Sequence, residues 1–175
     1  MADKIIILSG KQFCGKDTVA KILLEIFPDF RRIGLGDAIK LEYGEREGLS
    51  LEEIEKHKPL YRQDLIDLGN FRRSQDSDYW IKKVIALEGN IIVPDVRMKR
   101  ELEFFKEAGA FKIRVECDRD NRAKRGVLKS ENDRTETELD DVKDWDYVIE
   151  NNSTYENLQT ATKLLADNIK DWFLA

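Results

Sequence analysis

The sequence is poor in the residues that build disulfide frameworks, zinc sites and histidine-based active sites. Its 175 residues include two cysteines, Cys14 and Cys117, and one histidine, His57. Two cysteines are too few for a disulfide scaffold or a zinc site of the usual spacing, and they favour a reducing compartment. His57 lies in the polar run EEIEKHKP and is interpreted as a solvated helix residue. We therefore look elsewhere for the chemistry of the protein.

Long apolar runs and an excess of positive charge are also lacking. No stretch approaches the length of a membrane span, and the start MADKIIILSG lacks the layout of a signal peptide. The net charge is −5, which argues against a general nucleic-acid binder because such proteins carry a basic face. We expect one domain over residues 1–175, cytoplasmic, with no membrane or nucleic-acid partner. No exposed apolar stripe distinguishes a monomer from a homodimer.

Short apolar runs alternate with stretches of helical periodicity along the chain. The predicted strands are KIIILS (4–9), RRIGL (31–35), NIIVPD (90–95), FKIRVEC (111–117) and WDYVIEN (145–151). The predicted helices cover residues 16–27, 60–74, 77–88, 98–108, 118–126 and 154–173. Between the second strand and residue 60 lie a helical region with glycine breaks near Gly44 and Gly48 and a short helix that the capping box SLEE (50–53) begins. KSENDRTET (129–137) is predicted to be a mobile loop. The fold class is therefore α/β, a three-layer sandwich with a five-stranded parallel sheet and helices on both faces.

Polar residues follow the carboxyl ends of three of these strands. The loop 10–17 follows the first strand, Asp95 and Arg97 follow the third, and the basic segment 117–125 follows the fourth. Ligands of open parallel sheets bind outside the carboxyl ends of the strands. We therefore expect these segments to converge on one site.

The segment SGKQFCGKDT (9–18) contains the phosphate-binding pattern G-x-x-x-x-G-K from Gly10 to Lys16. Its glycines permit a tight path in which backbone N–H groups surround a phosphate, and the following helix N-terminus adds a favourable dipole. Lys16 would reach the outer phosphates of a nucleotide. The other residues assigned to this ATP-binding site are Lys11, Cys14, Gly15, Asp17 and Thr18.

Asp17 stands where the pattern usually has a serine or threonine hydroxyl that binds Mg²⁺. Its carboxylate could hold Mg²⁺ through water, with Thr18 as a neighbouring hydroxyl. Alternatively, Asp17 only caps the helix N-terminus, where a negative charge is favoured. Both interpretations stay open on the sequence. Cys14 is interpreted as non-catalytic, with a thiol pKa that the helix N-terminus could lower.

The rest of the chain has the layout of a small-molecule kinase. It contains no Asn-Lys-x-Asp or D-x-x-G motif, so a GTPase is disfavoured. A helical insert over about 36–88 predicts an acceptor-binding arm, and the basic segment over about 118–134 predicts a lid. Phosphoryl transfer requires cations that converge on phosphates. The candidates are Lys40, Arg62, Arg73, Arg97, Arg122 and Arg125, whereas Arg72 and Arg119 are interpreted as solvated surface charges.

Taken together, these segments resemble the phage-type deoxynucleoside monophosphate kinases and the animal-type phosphomevalonate kinases. Both families have a lysine-aspartate pair in the phosphate loop, so Asp17 looks like a family feature. The resemblance covers most of the chain. It continues in order through GDAIKLEYG (36–44), YRQDLIDLGNFRR (61–73), VPDVR (93–97), RAKRG (122–126) and TETELDDVKDWDYVIENN (135–152).

The resemblance implies an ATP-dependent kinase that moves the γ-phosphoryl group of Mg-ATP to a phosphate-bearing small molecule. It implies that Lys16 and the loop hold ATP, and that Asp17 and Asp95 assist Mg²⁺. It further assigns Lys40, Arg62, Arg73 and Arg97 to the acceptor's phosphate, Arg122 and Arg125 to the transferring group, and Asn151 and Asn152 to the surroundings of the adenine. The first candidate acceptor is a (deoxy)nucleoside monophosphate, and phosphomevalonate and dephospho-coenzyme A are the alternatives.

Two functions of other kinds stay open on the sequence. A non-catalytic nucleotide-binding module would explain the unusual Asp17 and would bind ATP without releasing ADP. A nucleic-acid end kinase is disfavoured by the net acidity and by the absence of a long basic face. For the kinase, we expect the lid 118–134 to close when both substrates are bound and to exclude water.

Overall fold

The computed structural model of the protein describes every residue from Met1 to Ala175. The strands are β1 (Ile5–Ser9), β2 (Phe30–Arg32), β3 (Asn90–Val93), β4 (Phe111–Glu116) and β5 (Tyr147–Glu150). The helices are α1 (Lys16–Ile26), α2 (Leu35–Glu47), α3 (Leu51–Lys56), α4 (Lys58–Gln75), α5 (Tyr79–Ile85), α6 (Lys99–Glu107), α7 (Arg119–Arg125), α8 (Arg134–Thr137) and α9 (Tyr155–Leu174). None of these helices is both long enough and apolar enough to cross a membrane.

The strands form one parallel sheet in the order β2-β3-β1-β4-β5. Every residue of β1 is buried, because this central strand is covered by helices on both sides. Ile6 and Leu8 pack with residues of α1 and α9, whereas Ile5 and Ile7 pack on the opposite face with residues of α5 and α6. The predicted three-layer α/β fold with a five-stranded parallel sheet is confirmed.

The strand order places the functional segments side by side. β1 lies between β3 and β4 and pairs with both in parallel. The loop after β1 is therefore flanked by the segment after β3, which contains Asp95 and Arg97, and by the segment after β4, which begins the lid. This is the convergence that the sequence predicts.

Some boundaries differ from the prediction, and each difference has a local cause. β2 ends at Arg32, because the next residues turn so that the backbone N–H of Leu35 can donate to the carboxylate of Asp95. Gly44 does not break α2, which continues to Gly48 and ends there in a left-handed conformation with φ 71°. The predicted mobile loop contains α8, whose Asp133 accepts a hydrogen bond from Thr135 N–H at 2.8 Å.

The helices α2 to α5 form the arm between β2 and β3, and the buried Glu42 holds its helices together. Glu42 accepts hydrogen bonds from Arg72 Nε at 2.8 Å, Tyr79 Oη at 2.6 Å and Lys83 Nζ at 2.8 Å. Burial alone would raise the pKa of Glu42, but these donors outweigh it and lower the pKa to about 2. The interpretation of Arg72 as a solvated surface charge is therefore wrong.

The capping box predicted at Ser50 is confirmed by its bonds with Glu53.

Candidate active site

The phosphate loop, residues 10–16, connects β1 to α1 in a path that its glycines make possible. Gly15 has φ 102°, and a Cβ placed on it would overlap the Nδ2 atom of Asn151. A Cβ on Gly10 would lie 2.6 Å from the carbonyl oxygen of Val115. Larger residues at either position would therefore change the course of the loop.

A cavity of about 560 Å³ lies in front of this loop. The side chain of Lys16 folds back over the loop, with Nζ 3.4 Å from the carbonyl oxygen of Lys11. Six residues predicted for phosphate or nucleotide binding line the cavity: Gly15, Lys16, Asp17, Thr18, Arg97 and Arg125. The structure thus brings together residues that follow β1, β3 and β4.

Cys14 contributes only its backbone to the loop surface. Its side chain is buried in the apolar cluster formed by β1, α1 and α9. Burial raises the pKa of the Cys14 thiol, and the nearby charge of Lys16 opposes this rise only in part. The expectation that the helix N-terminus lowers this pKa is therefore wrong.

Asn151 and Arg125 support the loop from the side of β5 and the lid. The buried Asn151 donates from Nδ2 to the carbonyl oxygen of Cys14 at 2.9 Å. Arg125 donates from Nη1 to the carbonyl oxygen of Phe13 at 3.2 Å and from Nη2 to that of Asn151 at 2.9 Å. Asn152 lies one residue further on and accepts from Asp118 N–H at 2.7 Å. The proximity of Asn151 and Asn152 to an adenine stays a prediction.

The segment predicted to form the lid, residues 118–134, lies against the phosphate loop in this structure. Arg122 is buried and donates from Nε to the carbonyl oxygen of Cys117 at 3.1 Å. The side-chain amide of Gln12 pairs with the backbone of Lys129, since Nε2 donates to Lys129 O at 2.6 Å and Lys129 N–H donates to Oε1 at 3.0 Å. Arg119 pairs with Glu131 across the lid surface and keeps the exposed position expected of it.

Asp95 and Asp17 are the carboxylates predicted to assist a metal ion. Burial raises the pKa of Asp95, although the N–H of Leu35 donates to its carboxylate. Asp17 is exposed and lies 3.5 Å from Arg32 Nη2. It does not cap α1 through a hydrogen bond, because the N-cap residue is Gly15 and no side-chain cap is present. Asp17 lies in the first turn of α1, where its negative charge interacts favourably with the helix dipole.

The oxygen donors at this place suit Mg²⁺ only in combination with a nucleotide. No group of three or more His, Cys, Asp or Glu side chains is arranged to hold a metal ion by itself. Mg²⁺ is commonly held by one or two carboxylates together with substrate phosphates and water. Asp17 lines the cavity of the phosphate loop, whereas Asp95 is not part of that lining. A magnesium site made of protein ligands alone does not fit, and a role of Asp17 and Asp95 toward an ion that arrives with ATP stays a prediction.

A second cavity, of about 780 Å³, lies in the arm and is rich in cations. Its lining consists of Gly36, Ile39, Lys40, Lys58, Pro59, Arg62, Leu65, Ile66, Asn70 and Arg73, with no acidic residue among them. The side chains of Lys58, Arg62 and Arg73 make no hydrogen bond or ion pair within the protein. Three of the predicted acceptor-binding residues thus line this cavity, whereas the fourth, Arg97, lines the cavity of the phosphate loop.

A chain of charged groups connects the two cavities. Lys40 pairs with Asp37 at 2.9 Å, and Arg32 lies 3.6 Å from Asp37 and 3.5 Å from Asp17. Burial alone would raise the pKa of Asp37, but donation from Gly34 N–H and from Lys40 outweighs it and lowers the pKa. Burial likewise opposes the charge of Lys40, but its bonds to Glu55 and Asp37 outweigh this and raise its pKa. Paired charges therefore join the arm cavity to the cavity in front of the phosphate loop.

The sequence analysis missed several side chains that support the site. Arg114 lies in β4, is buried, and donates from Nη1 to Ser9 Oγ at 3.1 Å. Asp140 accepts from Arg114 at 3.4 Å and from Lys11 Nζ at 2.7 Å, so it links β4 to the phosphate loop. The role of Arg114 could have been inferred from the sequence, because a charged residue inside the apolar run FKIRVEC needs a buried partner. The role of Glu136, described below, had no signal beyond its place in TETELDD.

Comparison with known proteins agrees with this fold and with a kinase. The family model for phosphomevalonate kinase matches residues 8–111. A phosphomevalonate kinase of Drosophila melanogaster is 28% identical, over 95% of this chain and 97% of that protein. A putative deoxynucleotide monophosphate kinase of Acanthamoeba polyphaga mimivirus is 28% identical over 45% of this chain and 37% of that protein.

Solved structures of shikimate kinases share the fold. The enzyme of Aquifex aeolicus superposes with a TM-score of 0.53 at 18% identity. The superposition covers 94% of this chain and 96% of the Aquifex chain. The enzyme of Acinetobacter baumannii, solved with shikimate, gives a TM-score of 0.51 at 17% identity, over 98% and 93%. These structures establish a P-loop kinase fold. Because the family model covers more than half of the chain, including the phosphate loop, the arm and Arg97, this phosphotransferase belongs to the phosphomevalonate kinase family.

Proposed function

We propose that the protein transfers the γ-phosphoryl group of ATP to the phosphate group of a small metabolite bound in the arm cavity. The observation that carries this proposal is the set of cations in that cavity, Lys40, Lys58, Arg62 and Arg73, with no acidic residue in the lining. Guanidinium groups without a protein partner suit a phosphate, which accepts two parallel N–H bonds from one arginine. The ion pairs that run from Lys40 through Asp37 and Arg32 to Asp17 show that residues of the two cavities lie close together, so an acceptor in the arm cavity would lie near ATP at the loop.

The proposed roles follow from where each side chain lies. Lys16 and the N–H groups of the phosphate loop bind and orient the phosphates of ATP. Arg97, in the same cavity, neutralises charge that develops on the transferring group. Asp17 and Asp95 would hold Mg²⁺, which would supply positive charge to neutralise the phosphates.

The reaction needs no general base from the protein. The second pKa of a phosphomonoester is about 6, so the acceptor's phosphate is largely ionised at neutral pH. One of its oxygens forms a bond to the γ-phosphorus while the bond from that phosphorus to the β,γ-bridging oxygen breaks, and ADP leaves. This chemistry depends on positioning and electrostatics, in keeping with a chain whose one histidine, His57, lies exposed between α3 and α4.

The lid is proposed to exclude water and to hold the loop in shape. Arg122 and Arg125 donate to backbone carbonyls, and these bonds leave some of the five N–H donors of each guanidinium free. Arg125 also lines the cavity of the phosphate loop. We therefore give both arginines a supporting role in the closed lid, in addition to the contact that the family resemblance implies. Asn152, beside the lid, is proposed to lie near the adenine.

Two acceptor classes are candidates, and a specific observation supports each. A phosphomevalonate-type acceptor is supported by the family model and by the full-length similarity to the Drosophila protein. The cavity also favours it, since several cations and aliphatic side chains line it, without an aromatic ring for base stacking, as suits a small acid with two anionic ends. A (deoxy)nucleoside monophosphate is the second candidate, supported by the similarity to the mimivirus protein.

The test is ADP release from Mg-ATP in parallel reactions with phosphomevalonate, the common nucleoside and deoxynucleoside monophosphates, and dephospho-coenzyme A. We expect one acceptor to stimulate ADP release. Lys16→Ala should lower the stimulated rate by roughly 1,000-fold, because it removes a fixed charge at the transferring phosphates, while the circular dichroism spectrum stays unchanged. ATP binding without stimulation by any acceptor would contradict the proposal and favour a nucleotide-binding module.

A further inference from the structure

Glu136 lies in α8, just after the lid, and its carboxylate is buried against the phosphate loop. Its side chain is 7% exposed. Oε2 accepts a hydrogen bond from the backbone N–H of Gln12 at 3.0 Å, and Oε1 accepts one from Arg97 Nη1 at 3.1 Å. A single carboxylate therefore joins the phosphate loop, the segment after β3 and the segment after the lid.

This contact occupies only one of the three guanidinium nitrogens of Arg97. Nε and Nη2 have no partner within the protein, and the side chain lines the cavity that also contains Lys16 and Asp17. The backbone of Arg97 is fixed as well, because its N–H donates to Glu101 at 2.8 Å. The N–H groups that remain on Nε and Nη2 lie in the plane of the guanidinium, side by side, which is the geometry that binds two phosphate oxygens.

A carboxylate so close to a phosphate site would repel the nucleotide if its charge were not compensated. Here each carboxylate oxygen of Glu136 accepts a hydrogen bond from its own donor, so Arg97 and the N–H of Gln12 compensate the negative charge. The same arrangement explains why the burial of Glu136 is tolerated, since buried charges require hydrogen-bonded partners. The contact thus serves the orientation of Arg97 and also sets the position of the loop.

We propose that Glu136 is a positioning residue for phosphoryl transfer, which holds the guanidinium of Arg97 and the backbone of Gln12 in their working arrangement. This inference rests on the proposed function, because it assumes that Arg97 contacts the transferring phosphate. Glu136 reaches its place through α8, which begins at the cap Asp133. It does not contact substrate, and it acts through Arg97.

The first test is Glu136→Gln, which keeps the size of the side chain. Glutamine has one acceptor oxygen, and its NH₂ group would face a second donor, so it cannot accept from both Arg97 and Gln12. We expect kcat to fall about 10- to 100-fold, the loss typical of a misplaced catalytic group, with little change in KM for the acceptor. The matched control is Glu138→Gln at the C-cap of α8, since the Glu138 carboxylate contacts Arg134 and the backbone of Lys99 instead. We expect this control to keep the wild-type kcat.

A double-mutant cycle with Arg97→Ala tests whether Glu136 acts through Arg97. In that background Glu136→Gln should cause little further loss of kcat, because the group that it positions is gone. An equal loss of kcat with and without Arg97 would overturn the inference. So would an unchanged kcat in the single variant Glu136→Gln.

A measurement without turnover separates this inference from the proposed function. The Nε–Hε resonance of Arg97 can be followed by NMR in the free protein and identified by its loss in Arg97→Ala. We expect Glu136→Gln to shift or broaden it and Glu138→Gln to leave it in place. If no acceptor stimulates ADP release but the resonance responds in this way, the proposed function fails and the positioning of Arg97 stands. An unchanged resonance in Glu136→Gln would overturn the positioning.

Discussion

The arginines of the lid and those of the arm cavity are placed in opposite environments. Arg122 and Arg125 of the lid donate to backbone carbonyls around the phosphate loop. Arg62 and Arg73 of the arm line a cavity and have no partner in the protein. The lid arginines therefore contribute to the stability of the folded loop, whereas the arm arginines leave positive charge uncompensated. Charge that contributes nothing to folding is expected where a protein binds an anion.

The same contrast occurs within one helix of the arm. Arg72 and Arg73 are neighbours in α4, about 100° apart around the helix axis. Arg72 donates to the buried Glu42, whereas Arg73 faces the cavity. One residue of helical rotation therefore separates a structural arginine from a candidate acceptor-binding arginine. Identical residue types in one sequence motif thus need separate tests.

Within the comparison of lid and arm, the largest expected effect is on acceptor binding by the arm. Arg62→Ala or Arg73→Ala should raise KM for the acceptor about 10- to 100-fold, because hydrogen bonds to charged groups contribute about 1.5–3 kcal/mol each. KM for ATP should change little. The melting temperature should stay the same or rise, since repulsion among the cavity cations decreases. Steady-state kinetics with each substrate varied in turn, together with thermal unfolding, measure these effects.

A matched control for the arm is Arg46→Ala. Arg46 lies in α2 and lines a different cavity, on the side of α4 that contains Asp64 and Asp67. We expect wild-type KM values for this variant. If Arg46→Ala weakened acceptor binding as much as Arg73→Ala, general surface charge would explain the effect, and the arm cavity would lose its assignment.

The next effect is on stability and concerns the lid. Arg122→Ala should lower the free energy of unfolding by about 2 kcal/mol, because it removes a buried charged donor and leaves the carbonyl oxygen of Cys117 without it. Lys124→Ala, at an exposed position of the same helix, should change it by less than about 0.5 kcal/mol. Urea unfolding of both variants measures this difference. Equal stabilities would remove the distinction between structural lid arginines and ligand-binding arm arginines.

Local patterns were sufficient to predict the sheet and the phosphate loop. Each core strand is a short apolar run, and the loop pattern depends on glycines whose conformation needs no distant partner, as at Gly15 with φ 102°. The end of β2 could not be predicted in this way, since it depends on Leu35 contacting Asp95, which lies 60 residues further along the chain. The orientation of Cys14 into the core likewise depends on packing with α9.

The sequence predicted which residues belong to the site, but it did not predict which of them form hydrogen bonds with one another. The grouping of Lys16, Asp17 and Arg97 follows from strand ends that meet at one edge of the sheet. Glu136 was missed as a partner of Gln12 because the two are 124 residues apart and a carboxylate near a phosphate site contradicts simple charge matching. The roles of the individual site residues, the limits of the arm and lid, the cytoplasmic location and the choice between monomer and homodimer stay predictions.

The last expected effect is on the pH dependence of stability, through Glu42. Its pKa in the folded protein is about 2, below the ordinary value of 4.5, so its bonds to Arg72, Tyr79 and Lys83 stabilise the fold above about pH 4.5. That contribution, on the order of 2 kcal/mol, is lost as the pH falls from about 4.5 to 2, because the unfolded chain binds the proton first. Urea unfolding between pH 6 and 2.5 should therefore show wild type and Glu42→Gln converging in stability towards acid pH, while carboxylates common to both proteins cancel. A stability difference that stays constant with pH would contradict the ionised state of Glu42 and weaken the distinction between Arg72 and Arg73.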